Sequence, residues 1–294
     1  MLVLDNFRKK RFLTGKRRQQ KMRSAFTRAI LVWAILVLTS LFFTSLGHAA
    51  IDPGTIVGLW LLDEGTGTAA ADSSGNGNDG TLIGDPQWVN GKFGKAVQFD
   101  GDGDYIECAD SDSLDMTDQI TVMCWFKVDK AMTVFEDRQA LVGKHYLEYE
   151  VGLYPDGVIH TYTNDGTVDG YDEGINASIA EELAEGNWVV GSWYHVAWTL
   201  DGQHEIVYVN GINVGEFDKG NAGTLPGDNT LEIGQRVGDS LPFTGAIDEV
   251  AVLNVAIGEA DVQAAMQTGL VTVLGTTAVS SAAKLATTWG NIKN

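Results

Sequence analysis

The chain has 294 residues, with 39 Asp and Glu against 20 Lys and Arg. Residues 1–49 hold ten of those bases and a single acid, Asp5, so the remainder carries 38 acids against ten bases, a net charge of −28. A surface of that sign repels phosphate backbones and excludes nucleic acid as a partner.

The chain opens with a basic head, an uncharged run from Ala29 to Gly47, and small residues at Ala49 and Ala50. This is the order of a secretory signal cleaved just after Ala49 or one residue later, with Met22 as a second candidate start. Left uncleaved, the same 19 residues are just long enough to cross a bilayer. Residues 1–49 are therefore expected to be a signal peptide or N-terminal membrane anchor. The protein is expected to be secreted, periplasmic or at the cell surface, touching a membrane only through an uncleaved N-terminal segment.

Residues 51–270 are enough for one domain with a sizeable core. Glycine is abundant at 35, proline scarce at five, and helix-period stretches are few. Many strands joined by Gly, Asp and Asn turns predict a sandwich or barrel. Ile56 to Leu62 reads as a buried first strand ended by Asp63-Glu64-Gly65. Ala71 to Gly80 is a loop of oxygen donors and glycines; counted from Asp72 its twelfth residue is Ile83, so it is no EF-hand. Strands follow up to Phe99, at Tyr105 to Cys108, Ile120 to Val128, Ala140 to Gly143, Tyr146 to Leu153 and Val158 to Thr163.

Asn164 to Gly191 is the least regular region, with one or two helical turns expected over Ser178 to Glu185. The clearest signal comes next. WYHVAWTL (Trp193 to Leu200) and EIVYV (Glu205 to Val209) alternate at period two, with Asp201-Gly202 and Asn210-Gly211 as turns. Thr230 to Gly234 and Gly245 to Leu253 supply the last strands. Glu259 to Thr268 predicts a short helix packing Val262, Ala265 and Met266. Residues 271–294 read as a flexible C-terminal tail. Cys108 and Cys124 leave two readings open: a disulfide worth about 3 kcal/mol in an oxidising compartment, or two separately buried thiols.

Six segments in order, GLWLLDEGTGTAAADSSGNGNDGTL, GKFGKAVQFDGDGDYIE, ITVMCWFKV, WYHVAWTLDG, IVYVNG and FTGAIDEVAVLNVAIGEADV, resemble the laminin G-like branch of the concanavalin A-like lectin/glucanase superfamily. The resemblance covers almost all of residues 55–270 and implies an all-β jelly-roll sandwich of two curved antiparallel sheets. It also implies a structural calcium. Asp63 after the first strand and Asp248 in the last are expected to share it, with Asp72, Asn76 and Asp79 as the loop alternative and Asp100 and Asp102 next. For each acid the alternative is a solvated turn.

A related glycoside hydrolase branch carries a Glu-x-Asp-x-x-Glu face, since glycosidases need two carboxylates about the scissile bond. Here Glu148 and Glu150 share a face, but the central Asp and third acid are missing, and Asp248-Glu249 are expected on opposite faces. A lyase pairing His145 with Tyr146 or Tyr149 is a further alternative. His195 reads as a core histidine, and Trp60, Trp125 and Trp198 as core. Trp188, Tyr171, Asp169 and Asp172, in the irregular insert, form the candidate ligand surface, the alternative being a loop with Trp188 tucked against the sheet. The expectation is an exported, non-catalytic module binding an extracellular polysaccharide or protein surface, with a glycoside hydrolase or lyase, or a purely structural module, as alternatives.

Overall fold

A computed structural model describes residues 51–164, 171–178, 187–219, 226–238 and 240–273. The expected signal or anchor (residues 1–49), Asp169, the expected helical turns after Ser178 and the tail from residue 274 lie outside the described residues. Of Tyr171 and Asp172 the backbone alone is described.

The chain forms β1 (Ile56–Trp60), β2 (Ala69–Ala70), β3 (Gly80–Ile83), β4 (Gln87–Asn90), β5 (Lys95–Asp100), β6 (Tyr105–Cys108), β7 (Ile120–Val128) and β8 (Gln139–His145). It continues with β9 (Tyr149–Tyr154), β10 (Val158–Asn164), β11 (Tyr171–Ser178), β12 (Trp193–Leu200), β13 (His204–Val209), β14 (Ile212–Asp218), β15 (Leu231–Ile233) and β16 (Thr244–Leu253). Helices α1 (Glu259–Thr268) and α2 (Leu270–Val273) close it. The insert predicted as irregular contains β11, which pairs along β10.

Two eight-stranded antiparallel sheets result. One runs β14-β13-β12-β7-β16-β5-β4, with β1 also on β16; the other runs β11-β10-β9-β8-β15-β6-β3-β2. This is the expected all-β sandwich, and alternation explains it. Val196, Trp198, Val207, Val209, Val250 and Val252 of the first sheet point inward with Phe126, onto Tyr149, Val151, Leu153 and Ile159 of the second. Each such burial is worth about 1.5–3 kcal/mol. The tight turn between β13 and β14 uses left-handed backbone at both Asn210 (φ 50°) and Gly211 (φ 75°), as its dipeptide predicts.

The outer face of the first sheet is also covered. Met123, Ala197, Tyr208, Ala251 and Leu253 lie under Val262 and Ala265 of α1 and Leu270 of α2. That second layer is why β12 is buried on both faces although its sequence alternates. Gly269, at φ 78°, stops α1 where predicted, and Met266 is half-buried.

Of the two readings of the cysteines, the structure shows separate thiols. Cys108 on β6 and Cys124 on β7 belong to different sheets, and both are free, buried thiols of the shared core. Burial raises both thiol pKa values well above the ordinary range.

Candidate functional site

Strand β16 has β7 along one edge and divides its other edge between two partners. Thr244 to Ile247 pair with β5, and Val250 to Leu253 pair with β1. Asp248 and Glu249 fall at the division, where the register with β7 also breaks. Glu249 adopts φ 51°, the left-handed region, so the strand's alternation fails there. Both carboxylates are buried, at 0% and 4% exposure. The expectation that these two neighbours face apart is thereby corrected.

The turn between β4 and β5 closes over them. Asp248 Oδ2 accepts the N–H groups of Lys92 (2.7 Å) and Phe93 (2.9 Å), and Asp63 Oδ1 accepts that of Lys95 (2.7 Å). A Cβ on Gly91 would sit 2.5 Å from Asp248 Oδ2, so the close approach requires glycine. Glu249 Oε2 accepts the N–H of Leu270. Asp248 Oδ1 is buried with no hydrogen-bond partner. Burial first, then the Glu249 and Asp63 charges, push Asp248 up to about 8 against the pull of the two backbone N–H groups. Burial and Asp63 push Glu249 to about 7. Asp63 and Asp248 thus hold the same turn, and the Asp63 charge reaches both Asp248 and Glu249; the three carboxylates do not gather within 4.8 Å, which among the described residues only Asp85, Asp100 and Asp104 do.

The loop alternative is built differently. Asp72 accepts the N–H groups of Leu59, Ser74 and Asn78 and the hydroxyl of Ser74. Asp79 accepts the N–H of Asp72, and Asn76 donates to the carbonyls of Ile56 and Val57. These donors make the loop a staple onto β1. The Asp100 carboxylate accepts the N–H of Asp102 (2.8 Å) and gathers with those of Asp85 and Asp104, and Asp104 holds the N–H groups of Asp85 and Asp100.

The outer face of the second sheet is aromatic. Tyr149, Val151 and Leu153 point inward on β9, so Glu150 and Tyr154 point outward, and on β10 Ile159 points inward, leaving His160 and Tyr162 outward. Six rings follow one another in contact, with His160 and Tyr162 among them buried at 2% and 8% exposure. His145 meets Tyr146 at 4.1 Å between centroids, Tyr146 meets Tyr162 at 6.2 Å, Tyr162 meets His160 at 4.1 Å, His160 meets Tyr154 at 4.7 Å, and Tyr154 meets Phe135 at 5.5 Å. The Tyr154 and Tyr162 hydroxyls are 2.7 Å apart. The Arg236 guanidinium lies over the Tyr146 and Tyr162 rings, 5.2 and 4.8 Å from their centroids. Its charge is met by Glu150 at 1% exposure. A register shift at the end of β8 and φ 147° at His145 set the ribbon's first ring.

Trp188, expected on the ligand surface, is a core residue instead. It is 4% exposed, packs edge-on against Phe126 (5.2 Å) and Tyr194 (5.1 Å), and donates its indole N–H to the carbonyl of Tyr154 (3.0 Å). Its place in the strand-poor insert hid that. The aromatic ribbon lies instead on β9 and β10 and the residues beside them, and its contacts with Phe135 and Arg236 were not readable from the sequence. Glu148 and Glu150, the nearest approach to a catalytic pair, each face a cation: Lys144 at 3.2 Å and Arg236 at 2.6 Å.

A laminin G-like family model, described as the concanavalin A-like lectin/glucanases superfamily, matches residues 100–263. The chain belongs to this superfamily. No curated protein matches the chain. Among solved structures, this laminin G-like chain is similar to domain 4 of AbnA, a GH43 extracellular arabinanase from Geobacillus stearothermophilus, in complex with arabinotriose. The TM-score is 0.56 at 21% identity, over 72% of this chain and 98% of that one. It is also similar to the binding domain of Paraclostridial Mosquitocidal Protein 1 (TM-score 0.58, 15% identity, 74% and 52% covered). A third is the binding domain of Botulinum neurotoxin DC in complex with rat synaptotagmin II (0.57, 12%, 74% and 52%). The match spans about half the length of the two toxin chains. At these identities the likeness is one of fold.

Proposed function

We propose that this protein is an exported, non-catalytic binding module that holds an extracellular glycan on the outer face of its second sheet, with a calcium ion bracing the loops of its first. The carrying observation is the ribbon of six rings around Arg236. Sugar rings present C–H faces that pack on aromatic rings and hydroxyls that take up side-chain donors and acceptors, and this face offers both. The arabinotriose complex of the arabinanase domain and the synaptotagmin complex of the toxin domain support the coarser reading of an extracellular binding fold. Glycoside hydrolysis needs one carboxylic acid and one free carboxylate beside the bond. The counter-cations of Glu148 and Glu150 disfavour that role. Among the described residues no helix is long and apolar enough to cross a membrane.

The donor set suits a hard cation. Asp63, Asp248 and Glu249 are oxygen donors set around the β4–β5 turn and β16, standing farther apart than a closed ligand set, and Asp248 Oδ1 is a buried acceptor lacking a donor. Bound calcium would supply fixed positive charge against the mutual repulsion of these acids. The three residues would tie these segments together.

A glycan microarray, run with calcium, tests the binding reading. Signal on at least one glycan, lost in Phe135→Ala and Tyr146→Ala and accompanied by no release of reducing sugar, is the expected result. No bound glycan would leave a structural surface module; binding indifferent to both substitutions would move the site off this face; release of reducing ends would make it an enzyme.

A further inference from the structure

We infer that the end of the sandwich where β1 begins holds a second site, an open cavity that takes a sugar unit bearing a free amine. The cavity measures about 570 Å³, within the range of small-molecule sites. Its walls are the start of β1, the connection from β6 to β7, and Asn254 beyond β16. Nothing from β9 or β10 lines it, so it goes beyond the aromatic face and does not depend on it.

These walls are fixed by the protein's own hydrogen bonds. Asn76 donates to the carbonyls of Ile56 (3.0 Å) and Val57 (3.2 Å). Asn78 donates to the Val57 carbonyl and to the Ser113 hydroxyl, both at 2.8 Å. The N–H of Asn254 meets the carbonyl of Thr55 at 2.9 Å. Leu114 and Met116, at 0% and 4% exposure, moor the β6–β7 connection in the core. A cavity set in advance spares a ligand part of the ordering cost of binding.

The polar groups around the cavity are unspent. Asp115 is answered by Lys144 at 2.5 Å, whereas Asp112 and Asp118 meet no cation among the described residues. Both are exposed, and the one side-chain partner either has is the Thr117 hydroxyl, 3.4 Å from Asp118. The exposed side-chain amides of Gln119 and Asn254 make no hydrogen bond to the described protein. No Lys, Arg or His lines the cavity.

That set of groups specifies the ligand. Asp112, Asp115 and Asp118 do not gather as the ligands of an ion would. Carboxylates spread about a cavity accept the N–H groups of an ammonium, and amides between them both give and take hydrogen bonds with hydroxyls. Ile56, Val57 and Met116 form the apolar floor against which a sugar's C–H face can lie. A uronate or sulfated sugar would be repelled by the acids. A lysine side chain carries a single polar end and would leave the amides unpaired, so the fit is to an amino sugar rather than a basic peptide.

Calorimetric titration of the full chain tests this with three probes: the hexamer of glucosamine, its fully N-acetylated counterpart, and hexalysine. Mildly acidic pH keeps the sugar amine protonated. The glucosamine hexamer is expected to bind more tightly than either other probe and to weaken in about 0.5 M NaCl. The double variant Asp112→Asn with Asp118→Asn should weaken it about tenfold, the effect of two partly exposed ion pairs. Both positions are exposed and the substitutions isosteric, so an unchanged melting temperature is expected and guards against misfolding. Equal binding of the acetylated hexamer would overturn the ammonium contact, and equal binding of hexalysine would overturn the sugar in favour of a basic peptide. Binding indifferent to the double variant but lost in Phe135→Ala would place the amino sugar on the aromatic face and overturn this site. No binding of the glucosamine hexamer would also overturn it, while leaving the aromatic face to be decided by the microarray.

Discussion

Glu150 and Arg236, 86 positions apart, meet in a two-pronged ion pair on the outer face of the second sheet, with Oε2 2.7 Å from Nε and Oε1 2.6 Å from Nη2. Glu150 is 1% exposed, and its burial raises its pKa despite the arginine. Taking one partner away strands a buried charge, which costs more than the pair contributes. Arg236→Met should therefore destabilise the fold by about 3–5 kcal/mol in urea unfolding. Adding Glu150→Gln should restore part of that loss, and a double-mutant cycle with no coupling would remove the pair as the ribbon's anchor.

Lys144 is a second buried cation, 0% exposed, with Asp110 at 2.7 Å, Asp115 at 2.5 Å and Glu148 at 3.2 Å. Lys144→Met leaves three carboxylates facing one another. A loss of about 3–5 kcal/mol is expected by the same reasoning. Lys144→Arg should also destabilise, because a fork replaces a point charge in a fitted cage. Denaturant midpoints compare all three proteins.

Calcium should raise the melting temperature of the chelator-treated protein, since a ligand at 100 times its Kd adds about 2.7 kcal/mol to the native state. Asp248→Asn should abolish that shift. Asp72→Asn should lower the baseline by loss of its staple and leave the shift in place, because its lone pairs already serve N–H and O–H donors. A shift that survives Asp248→Asn would move the ion elsewhere.

His195 is 2% exposed, edge-on to Trp125 at 5.3 Å, with Nδ1 buried and unpartnered. Burial lowers its pKa to about 3. The unfolded chain therefore binds the extra proton first, so stability falls as pH drops below about 6.5 and the loss is complete near the folded value. At pH 4 the penalty is about 3 kcal/mol, at roughly 1.4 kcal/mol per unit. His195→Phe should lose correspondingly less stability than the parent between pH 7 and pH 4. Parallel curves for the two proteins would show that His195 is not buried neutral.

Much of the fold was legible because it rests on local rules. Alternation in Trp193 to Leu200 and in Glu205 to Val209 placed two strands, Asp201-Gly202 placed their turn and Asn210-Gly211 the next one, and the helix over Glu259 to Thr268 formed where expected. Asp63 and Asp248 were expected together because terminal strands of a sandwich lie side by side, and β1 does pair with β16. Glu249 was missed because its left-handed backbone is created by the division of β16 between two partners, which no local pattern encodes. Trp188 was misplaced because burial in the core depends on Phe126 and Tyr194, residues from strands β7 and β12.

By itself the sequence determined the fold class, the acid balance and the alternation of strands such as Trp193 to Leu200, since period-two geometry and charge are additive along a chain. Tertiary structure decided which charges cancel. Arg236 comes to Glu150 and Lys144 to three acids, whereas Asp63 adds a like charge beside Asp248 and Glu249, through contacts between segments that the chain folds together. A side chain's effective charge depends on its neighbours in space and on exclusion of water, and folding alone sets both.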